Sequence, residues 1–519
     1  MRKIASPVLA LFACGTMAAG MMSPASAQQR TSPGREAHAR QAADTTSGYP
    51  EPPASTTEHT ITVAGQTVRY RATAGTIDLR DDQGKPTASV FYVAYTKEGV
   101  QNPSARPVTF AYNGGPGSSS IWLHMGALGP RRVVMGDTAH IAPPPYRLED
   151  NPYTPLDKTD LVFIDPVGTG YSHPLGDAKG KEFWGVDQDV RSVGQFITRW
   201  VRQNDRWNSP RYLFGESYGT TRSASLVSYM QNRYDMDFNG VVLTSVVLDF
   251  QTIGWSAGNE LPYILYLPSY AAVAWYHHAL PQRPDSLAPF LEQVRSFALT
   301  DYAHALAEGS KIGDQERNAV LDKLHQYTGL SRDYLDRADL RVDNSEFEKE
   351  LMREHGVVIG RLDARFTGPT GDLLGERAPY DPQSAAISSA FASTFRTYLR
   401  NELHYRTERP YQVSGNVRPW DWTHGRSFGW PGFTNVAPDL AEAMQRNPHL
   451  QVLVNNGYYD LATPFFATEY TMDHLGLPAD LRGHVHMAYY DAGHMMYVHD
   501  ASLARMKQNF DRFIDETTH

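Results

Sequence analysis

Two patterns of apolar residues follow one another along the chain. Near its start, β-branched and polar residues alternate at residues 60–63 and 66–70, on either side of an Ala-Gly turn. Alternation of this kind around a short glycine-containing turn predicts a β-hairpin. Apolar runs at residues 88–95 and 108–112 predict that further strands continue this pattern.

Beyond residue 160 the chain alternates between predicted strands and predicted helices. Short apolar runs are typical of strands buried on both faces, and they occur at residues 161–164, 211–214 and 240–248. Further strands are predicted near residues 451–455 and 485–490, and helices at residues 186–201, 218–234 and 503–514. This alternation favours an α/β fold with a mainly parallel central sheet and helices on both faces.

The alternation stops between residues 256 and 430. Residues 285–356 are charged, with Leu, Ala and Tyr at helical intervals, and a Gly- and Pro-rich segment at 366–382 precedes another helical pattern at 387–399. We interpret residues 256–430 as a helical cap inserted over the sheet. The core of the fold is then divided into residues 57–255 and residues 431–519.

Composition and charge narrow the function classes. The chain has 519 residues, of which 41% are hydrophobic and 20% are charged, as in a soluble globular protein. A net charge of −9 without a basic run argues against binding to nucleic acid. The sequence contains no convincing transmembrane span, and it leaves the oligomeric state open.

The start of the chain predicts export. A basic start, an apolar stretch and Ala-Ser-Ala before Gln28 predict a signal peptide over residues 1–27, and a flexible linker follows over residues 28–56. Cleavage there removes Cys14, the single cysteine, and leaves a periplasmic or secreted protein without disulfides. Lipid attachment at Cys14 is the alternative.

The run Gly-Glu-Ser-Tyr-Gly at residues 215–219 lies between a predicted strand and a predicted helix. A G-x-S-x-G run in this position forms a strained turn that exposes a nucleophilic serine, here Ser217. An ordinary glycine-containing connection is the competing interpretation. The position directly after a buried strand favours the nucleophile.

A glycine-rich loop, Asn-Gly-Gly-Pro-Gly-Ser-Ser-Ser at residues 113–120, follows the strand that ends at Tyr112. Hydrolases with such a serine take an oxyanion-stabilising amide from a loop in this place. A phosphate-binding loop is the competing interpretation, but no Walker lysine follows and the G-x-G-x-x-G spacing is absent.

An acid and a base follow the serine in the chain. Asp460 comes just after a late strand, and His494 lies between the next strand and the last helix. With Ser217 they have the order Ser, Asp, His that hydrolases of this kind use, which makes them candidates for a catalytic triad. His484 and His486 have metal-ligand spacing, but no third ligand is paired with them, so we expect no metal or other cofactor.

Together these motifs resemble the serine carboxypeptidase family. The resemblance rests on the glycine-rich loop, the run Asp-Pro-Val-Gly-Thr-Gly-Tyr-Ser at residues 165–172, the run at residues 215–219, Asp460 with Pro464, and Gly-His-Met at residues 493–495. They occur in the family's order over residues 108–500. The resemblance implies an α/β-hydrolase fold with a helical insertion over the active site.

The resemblance also implies roles for individual residues. It implies Ser217 as nucleophile, His494 as general base and then acid, and Asp460 as the residue that orients His494. The amides of Gly115 and Tyr218 would form the oxyanion hole. The side chains or backbone of Asn113, Gly114 and Glu216 would bind the terminal carboxylate of a peptide.

The sequence departs from the family's pattern at the expected carboxylate site. The family has a second glutamic acid two residues before a Gly-Pro pair, where this chain has Ala127. Two adjacent carboxyls raise the pKa of one of them, so we expect activity less confined to acid pH, or weaker recognition of the carboxylate. His124 or Arg131 could compensate. Tyr497 and Val498 stand where prolines often follow the family's histidine motif.

The leading interpretation is an exported serine-type carboxypeptidase that acts on peptides with a free C-terminus through an acyl-enzyme on Ser217. An esterase or acyltransferase with the same triad is the first alternative, and the alanine at position 127 favours it. A non-catalytic protein that binds ligands in the capped cleft is the second.

Overall fold

The computed structural model describes residues 48–425 and 432–518 of the chain. The expected signal peptide at residues 1–27, Cys14 and most of the expected linker at residues 28–56 lie outside the described residues. Within the described part, no helix combines the length and the apolar character that crossing a membrane requires.

Fourteen strands occur within the described residues, and ten of them form one central sheet. The strands are β1 (Ser55–Val63), β2 (Gln66–Arg80), β3 (Pro86–Lys97), β4 (Val108–Tyr112), β5 (Arg131–Val133), β6 (Leu148–Asp150), β7 (Asp160–Ile164), β8 (His173–Pro174), β9 (Arg211–Glu216), β10 (Gly240–Thr244), β11 (Val357–Ile359), β12 (Thr367–Pro369), β13 (Gln451–Gly457) and β14 (Val485–Tyr490). The central sheet has the order β1-β2-β3-β7-β4-β9-β10-β13-β14, with β8 paired to β3.

The pairing of neighbouring strands changes once across the central sheet, from antiparallel to parallel. Strands β1, β2, β3 and β7 pair antiparallel, and β1 and β2 form the predicted hairpin. From β7 onward every neighbouring pair is parallel. The carboxyl ends of β4, β9, β10, β13 and β14 therefore meet at one edge of the sheet, where ligands bind in open α/β sheets.

Helices cover both faces of this sheet. They are α1 (Val186–Gln203), α2 (Tyr218–Tyr234), α3 (Leu261–Tyr276), α4 (Leu287–Phe297), α5 (Ala303–Glu308), α6 (Asp314–Thr328), α7 (Arg332–Arg337), α8 (Asn344–Glu350), α9 (Pro382–Asn401), α10 (Ala437–Arg446), α11 (Phe465–Asp473) and α12 (Asp500–Thr517). This arrangement is the α/β-hydrolase fold, and it confirms the predicted fold class.

Apolar side chains on the two faces of the sheet form two separate cores. Phe110 and Leu213 belong to one core together with residues of α1, α2 and α10. Their chain neighbours Ala111 and Phe214 belong to the other, with residues of α9 and α12. Since successive residues of a strand point to opposite faces, burial on both faces explains why these strands are apolar at every position.

Residues between β10 and β13 hold a third apolar core. It is built largely from helices α3 to α8, and it also includes Phe465 and Phe466 of α11. Helix α9 departs from this group, because Phe391 and Phe395 pack in the same core as Phe163 of the central sheet. The expected cap at residues 256–430 thus contributes to two cores, and its boundaries remain a prediction.

Some element boundaries differ from the predicted ones. Strand β10 ends at Thr244, short of the predicted residue 248, because Ser245 has a φ of 55° and turns the chain out of the sheet. Strand β1 begins at Ser55, inside the expected linker, since Ser55 pairs with Ala74 despite its polar surroundings. Helix α3 lies within the expected helical cap, but the sequence did not predict its bounds, because its residues are apolar on most sides and lack an amphipathic period.

Candidate active site

Ser217 lies at the sharp turn between β9 and α2. Its φ of 60° and ψ of −130° are unfavourable for a residue with a side chain. Glycine is required on both sides, because a Cβ at Gly215 would collide with the carbonyl oxygen of Gly219, and one at Gly219 would lie 2.9 Å from the carbonyl oxygen of Tyr112. The amide of Ser217 donates to the carbonyl oxygen of Thr244 at 2.9 Å, which fixes the turn to the neighbouring strand.

The glycine-rich loop at residues 113–120 lies directly against this turn. A Cβ at Gly114 would collide with the amide nitrogen of Tyr218. Beneath the loop, Nη1 of Arg222 donates to the carbonyl oxygen of Asn113 at 2.9 Å, and its Nε donates to Oδ2 of Asp189 at 2.7 Å. Because Arg222 and Asp189 are both buried, this ion pair holds the loop and α2 together.

The far end of the glycine-rich loop is anchored on the run at residues 165–172. Oδ1 of Asp165 accepts from the amide of Ser120 at 2.8 Å, and the hydroxyl of Ser120 donates to the carbonyl oxygen of Ile164. A Cβ at Gly170 would collide with the Asp165 carboxyl. Burial raises the pKa of Asp165 to about 7. The run at residues 165–172 therefore helps to fix the shape of the glycine-rich loop. The cavity described below is not lined by Asp165, Ser120, Ile164 or Gly170.

Asp460 and His494 form a buried pair. Nδ1 of His494 lies 2.8 Å from Oδ2 of Asp460. The other carboxylate oxygen accepts from the amides of Ala462 at 2.7 Å and Thr463 at 3.0 Å, and the Thr463 hydroxyl donates to Oδ2 at 2.8 Å. Since an ionised carboxylate only accepts, the proton of the imidazole lies on Nδ1 and leaves Nε2 with a free lone pair.

Charges around His494 act in opposite directions on its pKa. Burial alone would lower the pKa, but the charge and hydrogen bond of Asp460, together with the charge of Glu216, raise it above the usual value for histidine. Arg361 opposes this increase. The Asp460 carboxylate thus holds His494 in place, and the charges of Glu216 and Arg361 further change its pKa.

A cavity of about 340 Å³ joins these groups. Ser217 and His494 both line it, although within the described residues the Ser217 hydroxyl makes no hydrogen bond to the imidazole. Such bonds are often long in enzymes without substrate and shorten when substrate binds. The structure therefore brings the three candidate triad residues together, with Asp460 buried behind His494.

The two candidate oxyanion residues also line the cavity. Gly115 and Tyr218 both contribute to its wall. In the part of the chain that the structure describes, neither backbone amide donates a hydrogen bond to another protein group. Both N–H groups are thus available to a ligand oxygen beside Ser217.

The three candidate carboxylate-binding residues line the same cavity. Nδ2 of Asn113 donates to Oε1 of Glu216 at 2.7 Å, and Oδ1 of Asn113 accepts from the amide of Leu123 at 3.0 Å. The second bond fixes the orientation of the Asn113 amide, so its NH₂ group faces Glu216 and the cavity, with Gly114 beside it. Burial raises the pKa of Glu216 to about 7.

His124 and Arg131, which could compensate for the alanine at position 127, do not reach this cavity. His124 is buried 2.6 Å from the hydroxyl of Tyr95, and burial lowers its pKa to about 3, so it stays neutral. Arg131 pairs with Asp150 and Glu402 instead. Neither residue is among those that line the cavity.

Residues of the expected cap close one side of the cavity. Leu362, Ser384 and Ile387 line it, and the carbonyl oxygen of Leu362 accepts from the amide of His494 at 2.6 Å. Arg361 lines it as well, with an exposed side chain. Sequence reasoning missed Arg361, because it lies on a connection inside the expected cap and no motif marks it.

Comparisons with known proteins point to one family. Residues 64–278 match the model of the family described as serine carboxypeptidase. Serine carboxypeptidase-like 34 of Arabidopsis thaliana is 27% identical over 431 residues, which cover 79% of this chain and 75% of that protein. Pheromone-processing carboxypeptidase kex1 of Aspergillus niger is 26% identical over 357 residues, covering 64% of this chain and 51% of that protein.

Among solved structures, a crystal structure of Kex1(delta)p, a prohormone-processing carboxypeptidase from Saccharomyces cerevisiae, is 16% identical. The superposition has a TM-score of 0.49 and covers 86% of this chain and 91% of that one.

Proposed function

Because the chain belongs to the serine carboxypeptidase family, we propose that it removes residues from the C-termini of peptides through an acyl-enzyme on Ser217. The observation that best supports the proposal is the convergence of Ser217, the Asp460–His494 pair and the glycine-rich loop on one cavity. The free amides of Gly115 and Tyr218 beside the serine add to it.

In the first half of the proposed reaction, the hydroxyl oxygen of Ser217 attacks the carbonyl carbon of the last peptide bond, and Nε2 of His494 takes the hydroxyl proton. Asp460 keeps the other proton on Nδ1 and stabilises the imidazolium. The carbonyl oxygen becomes an oxyanion that accepts from the amides of Gly115 and Tyr218. In well-studied hydrolases the loss of one such donor raises the barrier by about 3 kcal/mol.

In the second half, His494 returns the proton to the leaving amino group, and the terminal residue departs. A water molecule then gives its proton to His494 while its oxygen attacks the acyl carbon. Collapse of this second intermediate releases the shortened peptide and restores the hydroxyl of Ser217.

The restriction to the end of a peptide comes from Asn113, Gly114 and Glu216. The NH₂ group of Asn113 and the backbone of Gly114 face the place where a terminal carboxylate binds, next to Glu216. A pKa of about 7 means that Glu216 carries a proton at acid pH and can donate it to the substrate carboxylate. Above that pH, an ionised Glu216 repels the carboxylate.

The test is release of the terminal amino acid from N-blocked dipeptides across about pH 4 to 9. We expect release by the wild type and a loss of about 10⁴-fold or more in kcat for Ser217→Ala. Ser228→Ala serves as the matched control, since Ser228 lies on the same helix but does not line the cavity. Equal release by wild type and Ser217→Ala would contradict the proposal.

An esterase or acyltransferase with the same triad is the second candidate, because the alanine at position 127 leaves Glu216 as the one acidic side chain that lines the cavity in the described part of the chain. Cleavage of esters with no cleavage of any dipeptide would favour it. Absence of labelling of Ser217 by a fluorophosphonate probe would instead indicate a binding protein.

We also propose that the protein is exported. This rests on the pattern of residues 1–27, with its basic start, apolar stretch and Ala-Ser-Ala before Gln28. N-terminal sequencing of the mature protein should begin at Gln28. A first residue at Cys14 carrying a lipid would instead show anchoring to a membrane.

A further inference from the structure

Two buried polar atoms beside the cavity lack a hydrogen-bond partner within the described residues. They are Oε2 of Glu216 and the hydroxyl oxygen of Tyr497. Glu216 is 3% exposed and Tyr497 is 0% exposed, so water does not satisfy either group from the surface. Unpaired buried polar groups are costly and therefore need an explanation.

Tyr497 is held where its hydroxyl can face Glu216. It lies in the turn Met496–Val498, which directly follows His494 and Met495. On the other side its ring packs on Gly126, where an added Cβ would lie 2.7 Å from two ring carbons. Glycine at position 126 thus makes room for the ring, and the neighbouring Ala127 brings no polar group of its own.

The electrostatic effects agree with this placement. Burial and then the charge of Glu216 raise the pKa of Tyr497 well above its usual value. In the other direction, burial raises the pKa of Glu216, while His494, Tyr497 and Asn113 lower it and Asp460 raises it. The Tyr497 phenol therefore remains protonated over the pH range of the activity test. It can act on Glu216 only as a hydrogen-bond donor or as an uncharged neighbour.

We propose that Tyr497 is a positioning residue for Glu216 in the recognition of a peptide's terminal carboxylate. Asn113 holds Oε1 of Glu216, and the Tyr497 hydroxyl donates to Oε2 when the carboxyl is ionised. The two bonds fix the plane of the carboxyl group, so that it faces the cavity in one orientation. Tyr497 itself does not line the cavity and acts through Glu216. The inference rests on the proposed carboxypeptidase function.

Tyr497→Phe tests this inference, because it removes the hydroxyl and keeps the ring that packs on Gly126. For an N-blocked dipeptide, kcat/KM of the wild type should fall as pH rises and Glu216 loses its proton. A donor to the ionised carboxylate lowers the pKa of that carboxyl. We therefore expect the fall in Tyr497→Phe to move to higher pH by about one unit, with a higher KM on the acid side.

Two comparisons separate positioning from a general loss of structure. The C-terminal amide of the same dipeptide carries no carboxylate, so its pH profile should show no matching displacement in Tyr497→Phe. Tyr490→Phe is the matched control, since it removes another buried hydroxyl, which is bonded to Asn455 and Asn509. Glu216→Gln should abolish the fall altogether, which identifies Glu216 as its source.

The possible outcomes separate failure of the role of Tyr497 from failure of the proposed carboxypeptidase function. An unchanged profile in Tyr497→Phe, a shift to lower pH, or equal shifts for the acid and the amide would overturn the role of Tyr497 while leaving the carboxypeptidase function intact. No Ser217-dependent release by the wild type would overturn both. If Tyr497→Phe does not fold, Gly126→Ala gives the same test, because its methyl group displaces the ring and should shift the profile in the same direction.

Discussion

The proposed catalytic base illustrates how single residues set the chemistry of the site. In the proposed mechanism His494 has to be neutral at Nε2 to accept the serine proton, yet the charge of Asp460 favours its protonated form. Arg361, on the expected cap, is the group whose charge counteracts this effect. The expected cap therefore affects the pKa of His494 as well as closing one side of the cavity.

Arg361→Gln should move the acid limb of the pH profile upward. Loss of the positive charge raises the pKa of His494, so a smaller fraction of the base is neutral at a given acid pH. Because the arginine side chain is exposed, we expect a shift of about 0.3 to 0.5 pH units. The measurement is kcat/KM against pH for an uncharged ester, whose binding does not involve Glu216.

Arg337→Gln is the control for this change, since Arg337 is an exposed arginine of the expected cap that pairs with Asp333. It should leave the acid limb in place. A shift to lower pH in Arg361→Gln, or equal shifts in the two variants, would contradict the assigned effect of Arg361.

At this scale the sequence identifies residues that belong to a local motif and misses those that reach the site from elsewhere. Ser217 was recognisable because its turn needs glycines on both sides, and those glycines stand in the sequence. Arg361 acts on His494 through its charge from a distant segment, and a single arginine carries no local pattern. Tyr497 stands out in the sequence as a departure from the family's histidine motif, but its relation to Glu216 depends on the fold. The alanine at position 127 suggested that His124 binds the substrate carboxylate in place of the missing glutamic acid, but the fold buries His124 against Tyr95.

At the scale of elements, the buried pair of Arg222 and Asp189 joins α2 to α1 below the glycine-rich loop. Nη1 of Arg222 also donates to the carbonyl oxygen of Asn113. The side chain of Arg222 lies over the rings of Tyr112 and Tyr218, at 4.9 Å and 5.5 Å from their centres. The side chain of Arg222 thus links two helices, the end of β4 and Tyr218, the residue that follows Ser217.

Asp189→Asn should be strongly destabilising, because it leaves the Arg222 charge buried without its counter-charge. Removing one partner of such a pair costs about 3 to 5 kcal/mol of unfolding free energy. Urea denaturation followed by circular dichroism measures the loss. The double variant Asp189→Leu with Arg222→Met should recover most of it, and a double variant no more stable than Asp189→Asn would contradict this account.

Helices were predictable from sequence where one face is buried and the other is exposed to solvent. Strands were predictable where they are short and wholly apolar. Helix α1 follows its apolar period from Val186 to Val201, and β4 matches its predicted bounds of 108–112. Helix α3 is buried among its neighbours on most sides, so its sequence lacks the period that identifies a helix. Strand β10 stops early because Ser245 adopts a backbone conformation that its identity does not reveal.

At the scale of the whole molecule, the class of the fold follows from the order of strands and helices, while the path of the expected cap does not. Parallel strands joined by helices permit few arrangements, so the mainly parallel sheet was predictable. Residues 256–425 are not joined in this regular way, and helices α3 to α8 within them build most of the third core. Their return to the main body passes through His424, whose ring lies between Asp187 of α1 and Asp439 of α10, at 2.7 Å and 2.9 Å.

His424 should make the stability of the molecule depend on pH in the alkaline range. Burial alone would lower its pKa, but hydrogen bonds and charges from Asp187 and Asp439 raise it to about 9. The folded pKa thus exceeds the value of about 6.5 for an unfolded chain. Its contribution is complete below that lower value and disappears as pH rises to about 9.

The measurement is the free energy of unfolding in urea at about pH 6 and pH 9, for the wild type and for His424→Gln. The wild type should lose about 1 to 2 kcal/mol more than the variant between these two pH values, after allowance for the partial exposure of the ring. His474→Gln is the matched control, because the exposed His474 has no ion pair in the described part of the chain and bonds the Tyr470 carbonyl. If the wild type and His424→Gln change equally with pH, His424 does not carry this dependence and the return of the insertion is held by other contacts.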